Sequence, residues 1–469
     1  MDKKNEKTQA EKLAEKLLSN KKHGGLVLSD DKLKKADKFC EGYKDFLDKA
    51  KTEREAVVET IEMAKKNGFE EFVLGKEYKE GDKIYYNNRD KAVILTVIGK
   101  KPLSEGIRIA AAHIDSPRLD LKQNPLYEDN EIALFKTHYY GGIKKYQWVA
   151  IPLSLHGVIV KADGEIVNVN IGEDKGDPVF CVTDLLPHLA TAQMKRTPSE
   201  LIKGEELNIL VGSRPFRDDK ASNKVKLNIM AILNEKYGIV EDDFISAELE
   251  AVPQFKATDV GFDRSMVGGY GQDDRVCAYP AVQAIFKCKN PKHTCMTVLA
   301  DKEETGSDGN TGLNSSFLPY FINNLAKTQG FEGYNVMSAS ECLSADVNAS
   351  VDPTFSDVTE ERNSSKINYG VVATKFTGSR GKSGTSDASA EFVGKIRRLF
   401  DKNNILWQTG ELGKVDMGGG GTVAQYIANL NIDVIDVGVP VLSMHAPFEV
   451  TSKIDIFMAY KAFTAFFED

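Results

Sequence analysis

Two predominantly apolar runs constrain the fold of this chain most, residues 92–98 (AVILTVI) and 107–112 (IRIAAA). A strand with one wet face alternates polar and apolar side chains. These runs do not alternate, so both of their faces must be buried. That requires a sheet covered by helices, an α/β core. Residues 297–300 and 432–437 have the same character. Before them, residues 1–70 read as helical. Ala10, Leu13, Ala14, Leu17 and Leu18 recur at helix spacing, as do Phe39, Tyr43, Phe46 and Leu47, and both sets are expected to pack on the core. A chain of 469 residues is long enough for two domains, or for one large core with an insertion.

In α/β proteins, chemistry is mounted where buried strands end. The run 297–300 leads into Glu303 and Glu304 and then a turn rich in Gly, Ser, Thr and Asn. Neighbouring residues at a strand end point in opposite directions. One carboxylate can therefore hold a metal while the other faces a reaction. The run 107–112 ends in His113-Ile114-Asp115, where Asp115 can accept one ring N–H of His113 and fix its tautomer. A glycine-rich approach leads to Asp273-Asp274-Arg275 and a helix from about Val276. Carboxylates there either cap the helix against its dipole or bridge two metals, and the residues alone leave both readings open. Asp346 follows small residues, and His445 follows the last apolar strand. Two imidazoles and several carboxylates form the donor set that zinc takes when a position stays open for water. Two adjacent ions need one shared carboxylate and about two further ligands each. The inventory meets that requirement and leaves one glutamate over as a base.

Between residues 121 and 251 the texture changes. Strand-like segments at 148–155, 157–161, 166–171 and 207–211 alternate with polar turns, and Lys224–Tyr237 reads as an amphipathic helix. The pattern is that of an inserted, strand-rich second domain. Its one conspicuous residue is His188, in an apolar Leu-Pro-His-Leu context typical of a core or interface histidine. Gly418–Gly421 with Thr422 has the look of a phosphate loop but lacks the Lys-Ser/Thr pair, which argues against nucleotide binding. A net charge of −8 argues against nucleic acid and gives no reason to expect an anionic membrane. No run reaches the length of a membrane span, and the lysine-rich start is not a secretory signal. Six scattered cysteines without a CxxC pair fit a reducing cytoplasm.

The order HID, DDR, DKEETGS, SADVNASVDP and SMHAPFEV resembles the aspartyl aminopeptidase family of cocatalytic-zinc aminopeptidases over most of the chain. The resemblance implies a mixed-sheet α/β catalytic domain, phosphorylase/hydrolase-like, formed by residues 1–120 and 252–469. Residues 121–251 would be the β-rich dimerisation domain. It implies that His113 and Asp346 hold one zinc, Glu304 and His445 the other, and that Asp273 bridges them. Glu303 would be the general base, with Asp115 orienting His113. A cis peptide is expected after Asp273. Dimers would assemble into a tetrahedral dodecamer, and His188, in LPHLA, would reach a neighbour's active site. Lys375 and Arg380 would be candidates for gripping an acidic substrate side chain, or else solvated loop charges. This chain has Ile, Gln and Thr where the family commonly has Thr, Leu and Val beside the ligands, which bears on specificity and not on the metal chemistry.

The expected reaction is hydrolysis of the N-terminal residue of a peptide, with cobalt or manganese as possible replacements for zinc. The alternatives are a related dinuclear hydrolase, such as a carboxypeptidase or deacylase, and a non-catalytic assembly protein that kept the metal shell.

Overall fold

The computed structural model describes residues 7–218 and 220–469. The helical region expected from residue 1 is therefore seen from Lys7 onward, and residues 1–6 lie outside the described residues. The apolar runs form the centre of a nine-stranded mixed sheet. Its order is Glu70–Glu71, Lys83–Asn88, Ala92–Val97, Thr294–Ala300, Ile107–His113, Glu341–Ser344, Asp433–Gly438, Val371–Thr374, Trp407–Thr409. Thr294–Ala300, Ile107–His113, Glu341–Ser344 and Asp433–Gly438 run parallel. Their carboxyl ends therefore lie on one edge, where ligands gather in open α/β sheets.

The period of two explains the apolar runs. Val93, Leu95, Ala110, Ala112 and Leu299 enter one core with Tyr43, Phe46, Val276 and Phe463. Their neighbours Ile94, Ile109, Ala111 and Val298 enter a second core on the opposite face, with Phe321 and Ile427. Neither face is wet, so neither needs polar residues. The C-terminal helix Lys453–Glu468 packs against Asp30–Lys49 and Gln272–Lys287. The first helix, Gln9–Leu17, departs from expectation: it buries no residue, and Leu13 and Leu17 are exposed.

The strand-rich stretch forms a separate seven-stranded antiparallel sheet with its own core around Trp148, Leu153 and Leu249. Its strands span Arg118 to Pro253. The strand Leu153–Val160 is continuous through Gly157, so the two segments expected at 148–155 and 157–161 are one element. The long hairpin Arg118–Asp129 and Ile132–Tyr140 brings Tyr140 back to the start of its partner strand, opposite Arg118. The helix Lys224–Tyr237 is as expected. A small third sheet, which includes Met266–Gly269, Pro440–Leu442 and Glu449–Ser452, carries the chain on either side of Asp273 and His445.

Candidate active site

His113 closes the strand Ile107–His113 and is 1 % exposed. Its Nδ1 lies 3.1 Å from the Asp115 carbonyl oxygen and 3.2 Å from Asp115 Oδ1. Donation in that direction leaves the Nε2 lone pair facing the site. His445 is arranged alike: its Nδ1 lies 2.8 Å from the Gly142 carbonyl oxygen, which frees its Nε2. Between the two rings stands Asp273. Its Oδ1 is 3.1 Å from His113 Nε2 and its Oδ2 is 3.3 Å from His445 Nε2. The Asp273–Asp274 peptide is cis, and neither residue has helical backbone angles, so the regular helix starts after them.

The remaining carboxylates close on either side. Asp346 Oδ1 is 3.9 Å and Glu303 Oε2 3.8 Å from His113 Nε2, and Glu304 Oε2 is 3.5 Å from His445 Nε2. Two ligand sets result, His113/Asp273/Asp346 and Asp273/Glu304/His445, each with its donor atoms within 4.8 Å of one another. Asp273 belongs to both sets. All five positions expected as metal ligands thus meet in one cluster.

The geometry of the glutamate pair differs from the expectation. The strand ends at Ala300, and Glu303–Thr305 is a 3-10 turn entered through Lys302 in the left-handed region. The two side chains do not point to opposite sides of a strand. They reach neighbouring parts of one cluster because both backbone N–H groups donate to the Asp115 carboxylate, at 3.1 Å each.

Burial pushes the Glu303 carboxyl up to about 7, with His113 opposing the shift and Asp115 and Asp273 adding to it. Burial likewise raises Glu304 and Asp346 well above the usual carboxylate range. Burial raises Asp273 too, but His113 and His445 overcome it and hold this carboxyl low. Burial alone would lower His445, yet Asp273 and Glu304 bring it up to about 10. Five carboxylates (Asp115, Asp273, Glu303, Glu304, Asp346) share this space with two imidazoles, an excess of negative charge that a low-dielectric site does not hold without cations. Glu304 Oε1 is buried with no hydrogen-bond partner. Imidazole nitrogens and carboxylate oxygens in two overlapping sets, with an orphaned oxygen, fit divalent metal such as zinc.

A family model described as Aminopeptidase I zinc metalloprotease (M18) matches residues 46–467. The chain belongs to the M18 family. A probable M18 family aminopeptidase 1 of Clostridium acetobutylicum is 52% identical over 458 residues, covering 96% of this chain and 98% of that one. The crystal structure of an aminopeptidase I from the same organism superposes with a TM-score of 0.91 at 50% identity, covering 97% of this chain and 100% of that one. An M18 aminopeptidase from Thermotoga maritima gives 0.92 at 42% identity, with 96% and 99% covered. A dodecamer structure of mApe1 from S. cerevisiae shares the fold, with a TM-score of 0.75 at 21% identity over 92% of this chain and 97% of that one. The mixed α/β fold is that of M18 aminopeptidases, and the chain is an aminopeptidase, a hydrolase of the zinc metalloprotease class.

Other expected residues lie elsewhere. His188 is exposed in the single chain, between exposed Leu186 and Leu189, and not in a core. Lys375 pairs with Asp387 and lines a cavity of about 360 Å³ with Phe376, Arg397, Phe400 and Trp407. Arg380 sits on an exposed turn with φ 48°. Three contributors escaped the sequence reading. Glu449 accepts the N–H groups of Gln272, Asp273 and His445, Gly142 supplies a carbonyl, and Tyr140 donates to Asp115. A backbone carbonyl leaves no signature in a sequence, and only the aromatic-Gly-Gly end of an alternating strand could have drawn attention to this stretch.

Proposed function

We propose that this aminopeptidase works with two divalent ions, zinc or in its place cobalt or manganese, and removes the N-terminal residue of peptides. The observation that carries the reading is the shared carboxylate: one oxygen of Asp273 faces His113 and the other faces His445. His113 and Asp346 would hold one ion, Glu304 and His445 the other, and Asp273 both. Ions held there supply Lewis acidity, bringing the pKa of water toward about 7 and polarising a carbonyl. Glu303, 3.8 Å from His113 Nε2, would take the proton of the attacking water and return it to the departing amine. Asp115 holds the His113 ring and the turn that carries Glu303. The excess of carboxylates favours a free α-amine on the substrate, which limits cleavage to N-termini.

In the same reading, residues 1–120 and 252–469 form the catalytic domain and residues 121–251 the dimerisation domain. Dimers build a tetrahedral dodecamer, a reading supported by the dodecamer of the S. cerevisiae relative. Exposed Leu185, Leu186, Leu189 and Met194 around His188 support burial of this patch by another copy, with His188 entering its active site. Lys375 and Arg380 are assigned to the grip on an acidic N-terminal side chain. No helix among the described residues is long and apolar enough to cross a membrane. The enzyme is assigned to the cytoplasm, acting on peptides and not on nucleic acid or membranes.

The test is Glu303→Gln on zinc-loaded enzyme. Metal content should stay at the wild-type level while turnover falls by roughly 10²–10⁴-fold, the usual weight of a general base. Near-wild-type turnover would remove Glu303 from the role. A panel of Asp, Glu and Leu anilides with N-blocked and C-terminal substrates reads specificity. A clear Leu preference would exclude Lys375 as the dominant anchor.

A further inference from the structure

Three consecutive residues at the end of the strand Ile132–Tyr140 touch three parts of the site. The Tyr140 hydroxyl donates to Asp115 Oδ2 at 2.8 Å. Gly141 has φ +75°, and a Cβ there would lie 3.3 Å from Glu304 Oε2. The Gly142 carbonyl faces His445 Nδ1 at 2.8 Å. All three come from the seven-stranded sheet or its immediate continuation, whereas the metal-ligand sets come wholly from outside it.

Tyr140 is itself held from behind. The Arg118 guanidinium lies over its ring, 3.9 Å from the centroid. That guanidinium is anchored by Asp120 at 2.8 Å, Glu250 at 3.2 Å and Glu53 at 3.4 Å. Asp115 is fully buried and accepts Tyr140 O–H and Glu304 N–H on Oδ2 and Glu303 N–H on Oδ1, while His113 Nδ1 lies 3.1 Å from its backbone carbonyl oxygen. A carboxylate offers about four lone-pair positions, and these three donors set its orientation. Loss of one donor frees the group to rotate, and the turn bearing Glu303 and Glu304 hangs on its two oxygens.

We propose that Tyr140 is a positioning residue of the hydrolysis: through Asp115 it fixes the general base Glu303 and the metal ligand Glu304. The inference rests on the reaction proposed above. Its route is O–H to carboxylate to backbone N–H, and Tyr140 belongs to neither ligand set.

The experiment uses full-length, zinc-saturated enzyme with its best aminoacyl anilide. Tyr140→Phe removes one O–H and keeps the ring under Arg118. Hydrogen bonds to charged groups are the strong kind. The expected result is a kcat about tenfold lower with KM within about twofold, a pattern that follows lost transition-state positioning. Zinc affinity, read by competition with a chromogenic chelator, should weaken by about tenfold in the same variant, the lower end for lost outer-shell partners. In an Asp115→Ala background, which has no side-chain acceptor, Tyr140→Phe should cost no more than about twofold, because its route is already broken. Unchanged kcat and zinc affinity in Tyr140→Phe would overturn the inference, and so would an equal loss in both backgrounds. Glu303→Gln runs alongside. Its retention of turnover would sink the proposed reaction whatever Tyr140→Phe does, whereas an inert Tyr140→Phe leaves that reaction standing.

Discussion

Gly438 ends the strand Asp433–Gly438, beside the segment that carries Asp346. A Cβ built on it would lie 1.6 Å from the Asp346 carbonyl oxygen, 2.6 Å from its carbonyl carbon and 3.3 Å from its nitrogen. All three atoms are backbone, so no side-chain rotation relieves the clash. Ordinary contact begins at 3.4 Å, and Gly438→Ala must therefore open a gap of about 1.8 Å (3.4 minus 1.6) between the two segments. They resist it, because Asn348 N–H donates to the Val439 carbonyl at 3.0 Å and Asn348–Ala349 pairs with Pro440 and Val441. Overpacking of this kind costs about 1–3 kcal/mol, which a folded enzyme survives. On the proposed assignment, Asp346 would not survive it as a ligand: zinc takes carboxylate oxygen at about 2.0–2.2 Å, with little slack. The expected variant keeps the Asp273/Glu304/His445 ion, loses the other, and falls at least about 10²-fold in turnover, as misplacement by about 1 Å does elsewhere. Metal content per subunit after gel filtration and turnover at saturating anilide measure both effects. Gly381→Ala, whose Cβ meets open space, is the matched control. Two ions per subunit with turnover near wild type in Gly438→Ala would refute the assignment of Asp346.

Two further outcomes are expected. Removing metal with a chelator should abolish activity and lower the Tm, and zinc should restore both. Ligand binding at about a hundredfold over Kd is worth roughly 2.7 kcal/mol, so a Tm that ignores the metal would contradict the ligand sets. His156 sits between Glu55 at 2.7 Å and Glu173 at 3.2 Å, and these partners outweigh burial and raise its pKa. A raised folded-state pKa gives stability that is fully present below the unfolded value of about 6.5 and fades as pH climbs through the folded value. His156→Gln should therefore trail wild type most in urea midpoint at about pH 5.5 and least at alkaline pH, and a gap that widens with pH would reverse the assignment.

The candidate cluster was legible because its residues follow abrupt changes from apolar strand to polar turn, as at His113 and Glu303, and because burial on both faces makes such strands conspicuous. What was not legible has physical causes. The hairpin that delivers Tyr140 turns through Asn130 and Glu131, both with positive φ, where the usual signal is Asn-Gly. The C-terminal helix Lys453–Glu468 buries residues around most of its circumference, which erases the polar stripe that marks a surface helix. Opposed directions on a strand were expected for Glu303 and Glu304, and their placement comes instead from a turn folded over Asp115. His188 sits among leucines that suggest a core, yet the single chain leaves them exposed.

Two buried carboxylates outside the ligand sets explain how irregular backbone can hold a metal site. Lys302 has φ 68° and His445 φ 63°, conformations that cost free energy for residues other than glycine and persist only when their surroundings enforce them. Asp115 supplies that enforcement on one side, accepting N–H from Glu303 and Glu304 just after Lys302. Glu449 supplies it on the other: Oε1 accepts from His445 N–H at 2.9 Å, and Oε2 accepts from Gln272 and Asp273 N–H at 2.6 and 3.2 Å. Asp115 thus grips the main chain of one turn, and Glu449 grips two separate segments, joining Asp273 to His445. Main-chain anchoring fixes a Cα and its direction before the side chain chooses a rotamer, so it suits a site in which one aspartate must face two imidazoles at once. It also separates two kinds of loss. Removing a ligand deletes one bond to an ion, whereas removing Asp115 or Glu449 releases a whole turn, and for Glu449 it leaves three buried N–H donors without an acceptor.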